Sequence, residues 1–330
     1  MSEYGNNFSN NDNSNDSGIH YANAAEANDE IEGGDKWLAR GRSLNTAAIG
    51  GLILIGVFYM LMQVVFLVVG ILASGLGQKI LMSGNDVVSL LSGSMELFVS
   101  PIRWALLLSE YLALLLPTIL LIRRWHTPKV RAYTRLRGAS VAEIALAVLG
   151  TILIIPIGSF ISNALQESFH VSSNLEDLEA KIFAAHSAME FLFLVFIVAI
   201  TPAICEEFFF RGYVQRTFER TIGPHSIALV GVIFGLFHME PLGLLTLSMI
   251  GIWLGYVYYR SKSLLPNMAA HFTNNFIALY LMYRAPMLFG VDVQNDQQIP
   301  VLWLLTTIPL LALVAWTYYK ITLRRGEAAA

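Results

Sequence analysis

The sequence predicts an all-α protein, a polytopic membrane helical bundle with about eight transmembrane helices. Three observations lead there. Of 330 residues, 55% are hydrophobic and only 14% charged, far from the balance of a soluble domain. Apolar stretches recur along the chain, most of them near the roughly 20 residues needed to cross ~30 Å of hydrocarbon. Finally, the basic residues fall in alternate connections between those stretches, as the positive-inside rule requires of a multi-pass chain.

Residues 1–35 hold eight Asn, eight Asp or Glu and no Lys or Arg. With few large apolar side chains to bury, residues 1–40 read as a disordered, acidic, Asn-rich tail. They have no basic start followed by an apolar core, so they do not read as a cleavable signal peptide. The transmembrane domain is expected over 41–325, and a short tail closes the chain at 326–330.

The apolar spans are read at 46–73, 97–122, 141–163, 189–210, 225–239, 242–259, 264–283 and 301–319, the fifth being short. Pro101, Pro117, Pro156, Pro202, Pro266 and Pro309 lie in or at the ends of these spans, where membrane helices tolerate them. All of the 21 Lys and Arg except Lys79, Arg103, Lys181 and Arg284 fall on one side. That side is therefore cytoplasmic and carries both termini. Leu175, Leu178, Ile182 and Phe183 in the outer connection recur at helical spacing and suggest an interfacial amphipathic helix. No internal repeat is visible, which argues against two equivalent halves rocking about a transport site. The single Cys205 excludes an internal disulfide and reads as a small packed residue.

The polar intrusions concentrate between Glu206 and Asn275. An ionised side chain in hydrocarbon costs at least ~2.5 kcal/mol, so the adjacent Glu206 and Glu207 at the end of the fourth span call for a function. On a helix Glu207 and Arg211 are four apart and can pair, which leaves Glu206 as the free acid. Gly223 and Pro224 then turn the chain back, with Glu206 sixteen residues before residue 222 and His238 sixteen after it, at similar depth. His271 and Asn275, four apart, share a face of the seventh span. Glu110, in the second span, either lines the same cavity or bonds to a neighbouring helix. His20, His126, His170, His186 and His225 lie in the tail or connections and are assigned no role.

Two arrangements of these groups would hydrolyse an amide. In one, Glu206 or Glu207, His238 and His271 hold a divalent metal such as zinc that acidifies a bound water. In the other, Glu206 is general base on a water positioned by His238, while His271 and Asn275 donate to the oxyanion. Asn275 suits an oxyanion donor better than a zinc ligand, which favours the second.

The sequence Glu206-Glu207-x-x-x-Arg211, Phe234-x-x-x-His238 and His271-x-x-x-Asn275 resembles the three-motif signature of the CPBP intramembrane proteases. That family includes the type II CAAX prenyl endopeptidases and the bacteriocin-processing, Abi-like proteins. The resemblance covers about residues 190–285. It implies a protease, metallo- or glutamate-dependent, with Glu206, His238, His271 and Asn275 catalytic and Glu207, Arg211 and Phe234 supporting. The expected partners are a membrane-associated peptide or protein substrate and the bilayer, and not nucleic acid. The expected setting is a prokaryotic plasma membrane, with cleavage near its cytoplasmic face and the cavity reached from that side. A non-catalytic peptide-binding or immunity protein is the alternative, and a transporter a weaker one.

Overall fold

A computed structural model describes residues 34–75, 96–169, 182–288 and 301–327, together with 78 and 82. Its long elements are helices, and each of the eight apolar stretches contains one. They are α1 (Leu44–Ala73), α2 (Glu96–Ser109, continued to His126), α3 (Val141–Phe169), α4 (Ala188–Leu194, continued to Ile222), α5 (His225–Phe237), α6 (Leu244–Ser261), α7 (Leu265–Leu288) and α8 (Val301–Glu327). Among the described residues, α1, α2, α3, α4 and α8 are long and apolar enough to cross a membrane. With 13 residues α5 is about 20 Å long, shorter than the ~30 Å of hydrocarbon.

Local chemistry sets the helix ends. Ser43 accepts from the Asn45 N–H to start α1. Ser140 and Glu143 exchange bonds in a capping box at α3, and Ser187 accepts from the Glu190 N–H at α4. Gly223, at φ +56°, makes the turn between α4 and α5 in a region that other residues avoid. In α5 and α6, Gly231 and Gly251 bring two backbones so close that a Cβ on either would strike the other helix. Small residues are the usual means of close packing between membrane helices.

Two helices are not regular. In α2 the turns Glu110–Leu115 and Ile122–His126 are π-helical. In α4 the π turns Val195–Ile200 and Phe208–Gln215 flank one α-helical stretch, Thr201–Glu207. Such wide turns commonly mark functional positions, and here they bracket the acid pair.

The basic end of the bundle is closed by buried ion pairs. Glu219 accepts two bonds of 2.8 Å from Arg135 and one of 2.6 Å from Lys262. Asp35 accepts from Arg220 at 2.6 Å and lies 2.9 Å from His126 Nδ1. The expected tail is therefore too long in the fold. Asp35 is 1% exposed, and Trp37 packs on Trp125 with ring centroids 4.5 Å apart. A carboxylate and an indole with partners in the bundle outweigh the entropy of a free chain. Residues 1–33 lie outside the described residues, as does most of the expected amphipathic helix.

Burial penalises the Asp35 carboxylate, but its bonds to His126 and Arg220 prevail and hold its pKa well below the usual carboxylate range. A depressed pKa stabilises the fold above the unfolded value and loses that contribution as pH falls below it. Asp35→Asn is expected to cost about 3–5 kcal/mol at pH 7, since Arg220 loses its buried partner. The gap in apparent Tm between variant and parent, measured in detergent, should narrow once pH drops below about 4. A gap that is absent at pH 7 would remove the Asp35 anchor.

Candidate active site: an acid pair and two histidines

Glu206 and Glu207 occupy the last turn of the α-helical stretch of α4 and point in different directions. Glu207 is fully buried. Its Oε1 accepts from Arg211 Nη1 at 2.8 Å and from His271 Nδ1 at 2.8 Å. The Arg211 guanidinium also donates to the Gly251 carbonyl at 3.1 Å. Glu207 thus binds the imidazole of α7 as well as its own helix, a partner that the spacing of Glu207 and Arg211 does not reveal.

Glu206 faces a cavity of about 380 Å³. Its Oε2 is buried and has no hydrogen-bond partner, with His271 Nε2 3.9 Å away. The Glu206 side chain is 12% exposed against 0% for Glu207, so it is the acid of the pair that a molecule in the cavity can reach. His238, exposed at the end of α5, lines the same space. Its Nδ1 donates to the Phe234 carbonyl at 2.8 Å, which leaves Nε2 as the other working atom. The fold-back at Gly223 therefore brings Glu206 and His238 together, at about 24 Å and 20 Å along their helices from the turn.

Asn275 also lines the cavity, while its Nδ2 donates to the Val198 carbonyl at 2.9 Å and its Oδ1 accepts from Asn274. One amide hydrogen of Asn275 remains for a ligand. His271 does not share that position. It is 3% exposed and turned toward Glu207, so the expected pairing of His271 with Asn275 as oxyanion donors is not what the fold builds. A shared helix face put both residues on the same side of α7, but the buried carboxylate of Glu207 captured the nearer ring.

Phe234 holds these parts in place. The Arg211 guanidinium lies 4.5 Å from its ring centroid, and the His238 and His271 rings stand edge-on at 4.7 and 5.8 Å. Glu110, on α2, takes both roles open to it. It accepts from the Tyr59 hydroxyl at 2.7 Å, and it lines the cavity with its Oε2 unpartnered. Tyr59 has no polar signature in an apolar span, and only the packing of α1 on α2 brings it in.

Residues 188–277 match the family model described as type II CAAX prenyl endopeptidase Rce1-like. Over this segment the chain is similar to that family, which agrees with the resemblance carried by its three motifs. Comparison with curated proteins and with solved structures gives no match. The matched segment contains Glu206, Glu207, Arg211, Phe234, His238, His271 and Asn275, whereas Tyr59 and Glu110 lie outside it. A metal was one of the two expected arrangements. Among the described residues no group of three His, Cys, Asp or Glu side chains stands close enough to hold an ion. His271 Nδ1 is bound to Glu207, and its Nε2 lies 3.9 Å from Glu206.

The described lining of the cavity extends along the helices in one direction from the acid pair. The cavity is lined by Gln63, Leu106, Phe183 and Val198, all further from the basic end of their helices than Tyr59, Glu110 and Glu206. Toward the basic end, Phe209, Phe210, Arg211, Tyr213, Val214 and Gln215 are fully buried.

Proposed function

We propose that the protein is an intramembrane endopeptidase that hydrolyses a peptide bond of a membrane-associated peptide or protein. The observation that carries this reading is the unpartnered, buried Glu206 oxygen in one cavity with His238 and Asn275. The Rce1-like match over the same residues supports it.

Glu206 takes a proton from water as the water oxygen bonds to the scissile carbonyl carbon. His238, whose Nδ1 is fixed on Phe234, orients that water through Nε2. Asn275 donates to the carbonyl oxygen as it becomes an oxyanion. When the C–N bond breaks, Glu206 returns its proton to the departing amine, leaving a carboxylic acid and an amine and restoring the enzyme. Glu207 positions His271 and Arg211 and has no part in the proton transfer.

The chain's own side chains supply every step of this scheme. Activity is accordingly expected to persist at full rate in a preparation that elemental analysis finds free of divalent metal. Loss on chelation with recovery on zinc would replace the scheme with a metal-dependent one. We further propose a prokaryotic plasma membrane as the setting, with both ends on the cytoplasmic side as its basic residues indicate.

The reading is tested by comparing membrane peptides and proteins from cells carrying the parent or Glu206→Ala. A species that accumulates uncut only with Glu206→Ala, and that the purified parent then cleaves, is the expected result. If the folded parent and Glu206→Ala leave identical profiles, and neither cleaves candidate peptides, the proteolytic reading falls.

A further inference from the structure

We propose that Glu110 holds a proton and, through it, is the second hydrogen-bond donor to the oxyanion, in the place that His271 does not take. This deepens the proteolytic reading of the same cavity and rests on it. A tetrahedral intermediate is commonly held by more than one donor aimed at a single oxygen. Asn275 brings one amide hydrogen, because its other bond goes to the Val198 carbonyl. His271 is turned toward Glu207. Glu110 lines the cavity with Glu206 and Asn275 and is used by no step of the scheme above.

The surroundings of Glu110 favour its neutral form. It is 4% exposed and opens the π turn Glu110–Leu115 of α2, on which the Thr201–Glu207 stretch of α4 packs. Its Oε1 accepts from the Tyr59 hydroxyl at 2.7 Å, and its Oε2 is buried without a partner. A hydroxyl brings no countercharge. An ion buried in a membrane-spanning helix on such terms costs several kcal/mol, and binding a proton removes that cost. Two carboxyl groups that line one low-dielectric cavity also disfavour ionisation of both. Glu206, at 9% the more exposed of the two, keeps the charge and serves as base. Tyr59 donates to Oε1, so the Glu110 proton belongs on Oε2, the oxygen that no protein group occupies.

A carboxylic acid kept neutral in an apolar site is a strong donor to developing negative charge. As the water oxygen bonds to the scissile carbon, the carbonyl oxygen takes up the electron pair of its double bond. The Glu110 O–H donates to that oxygen and retains its proton throughout, so the proton balance between Glu206, water and the departing amine is unchanged. An ionised Glu110 would instead repel the oxyanion. The Tyr59 hydroxyl polarises the carboxyl from the other oxygen and strengthens the donor. Gln63 on α1 also lines the cavity and carries an amide, and it is the rival donor that an experiment has to separate from Glu110.

Infrared spectra of the purified parent and of Glu110→Gln at neutral pH test the proton without any substrate. Their difference should contain the carbonyl stretch of a protonated carboxylic acid, and Tyr59→Phe should move that band to higher frequency as the carbonyl loses its hydrogen bond. Kinetics on the species that accumulates with Glu206→Ala test the role. Glu110→Leu should lower kcat by about 10²–10³ with little change in KM. Glu110→Gln, which stays neutral and keeps an N–H in reach, should lose only roughly tenfold, and Gln63→Leu should cost less than Glu110→Leu. Carboxylate bands in place of the protonated band, Glu110→Gln as impaired as Glu110→Leu, a folded Glu110→Leu at the parent rate, or a larger loss in Gln63→Leu would each overturn the proposal. The infrared comparison decides even if Glu110→Leu does not fold. If the parent cleaves in a Glu206-dependent way and the protonated band is absent, this proposal alone falls. If the band is present and the folded parent cleaves nothing, the proteolytic reading falls and takes the oxyanion role with it.

Discussion

Glu206→Gln is expected to slow cleavage by about 10²–10⁴, the contribution of a positioned general base, while leaving the fold intact. The substitution keeps the size and the hydrogen-bonding reach of the side chain but removes its capacity to take a proton from water. Stability should change little, because the Glu206 Oε2 has no protein partner to lose. Rates on the accumulating substrate and the apparent Tm of the purified variant check both halves. A variant that cleaves within a few-fold of the parent rate would exclude Glu206 as the base.

Glu207→Gln should behave in the opposite way, with a loss of stability of about 3–5 kcal/mol. Glu207 and Arg211 are both 0% exposed, and the amide would leave a buried guanidinium without its carboxylate partner, held by the Gly251 carbonyl and the Phe234 ring. His271 would also lose the carboxylate that fixes its Nδ1. Apparent Tm and the yield of folded protein measure the effect. The double variant Glu207→Gln/Arg211→Met, which removes both charges, should be more stable than Glu207→Gln alone. If Glu207→Gln folds as the parent does and loses activity as fully as Glu206→Gln, the division between base and support is wrong.

The two acids sit next to each other, yet their expected responses differ because they face different surroundings. Much of that was legible in the spacing. Four residues from Glu207 to Arg211 make a pair on any helix, and the turn at Gly223 sets His238 at the depth of Glu206. The role of His271 was not legible. A period of four put it with Asn275, but the choice between a cavity and a buried carboxylate is made by packing of α7 on α4. His126 carried no signal at all, since its partner Asp35 is 91 residues away in a segment whose composition reads as disordered.

What the sequence by itself determined is the material of the protein. Apolar length dictates helices that sit in a bilayer, and the cost of charge there marks Glu206, Glu207, Arg211, His238 and His271 as residues with work to do. What only the tertiary structure decided is who meets whom. Tyr59 and Glu110 are 51 residues apart and join across α1 and α2, and both line one cavity with Glu206, His238 and Asn275. Hydrophobicity and helical period are local quantities, readable along one segment. The lining of a cavity depends on which faces of several helices remain uncovered after they pack, and no single segment contains that information.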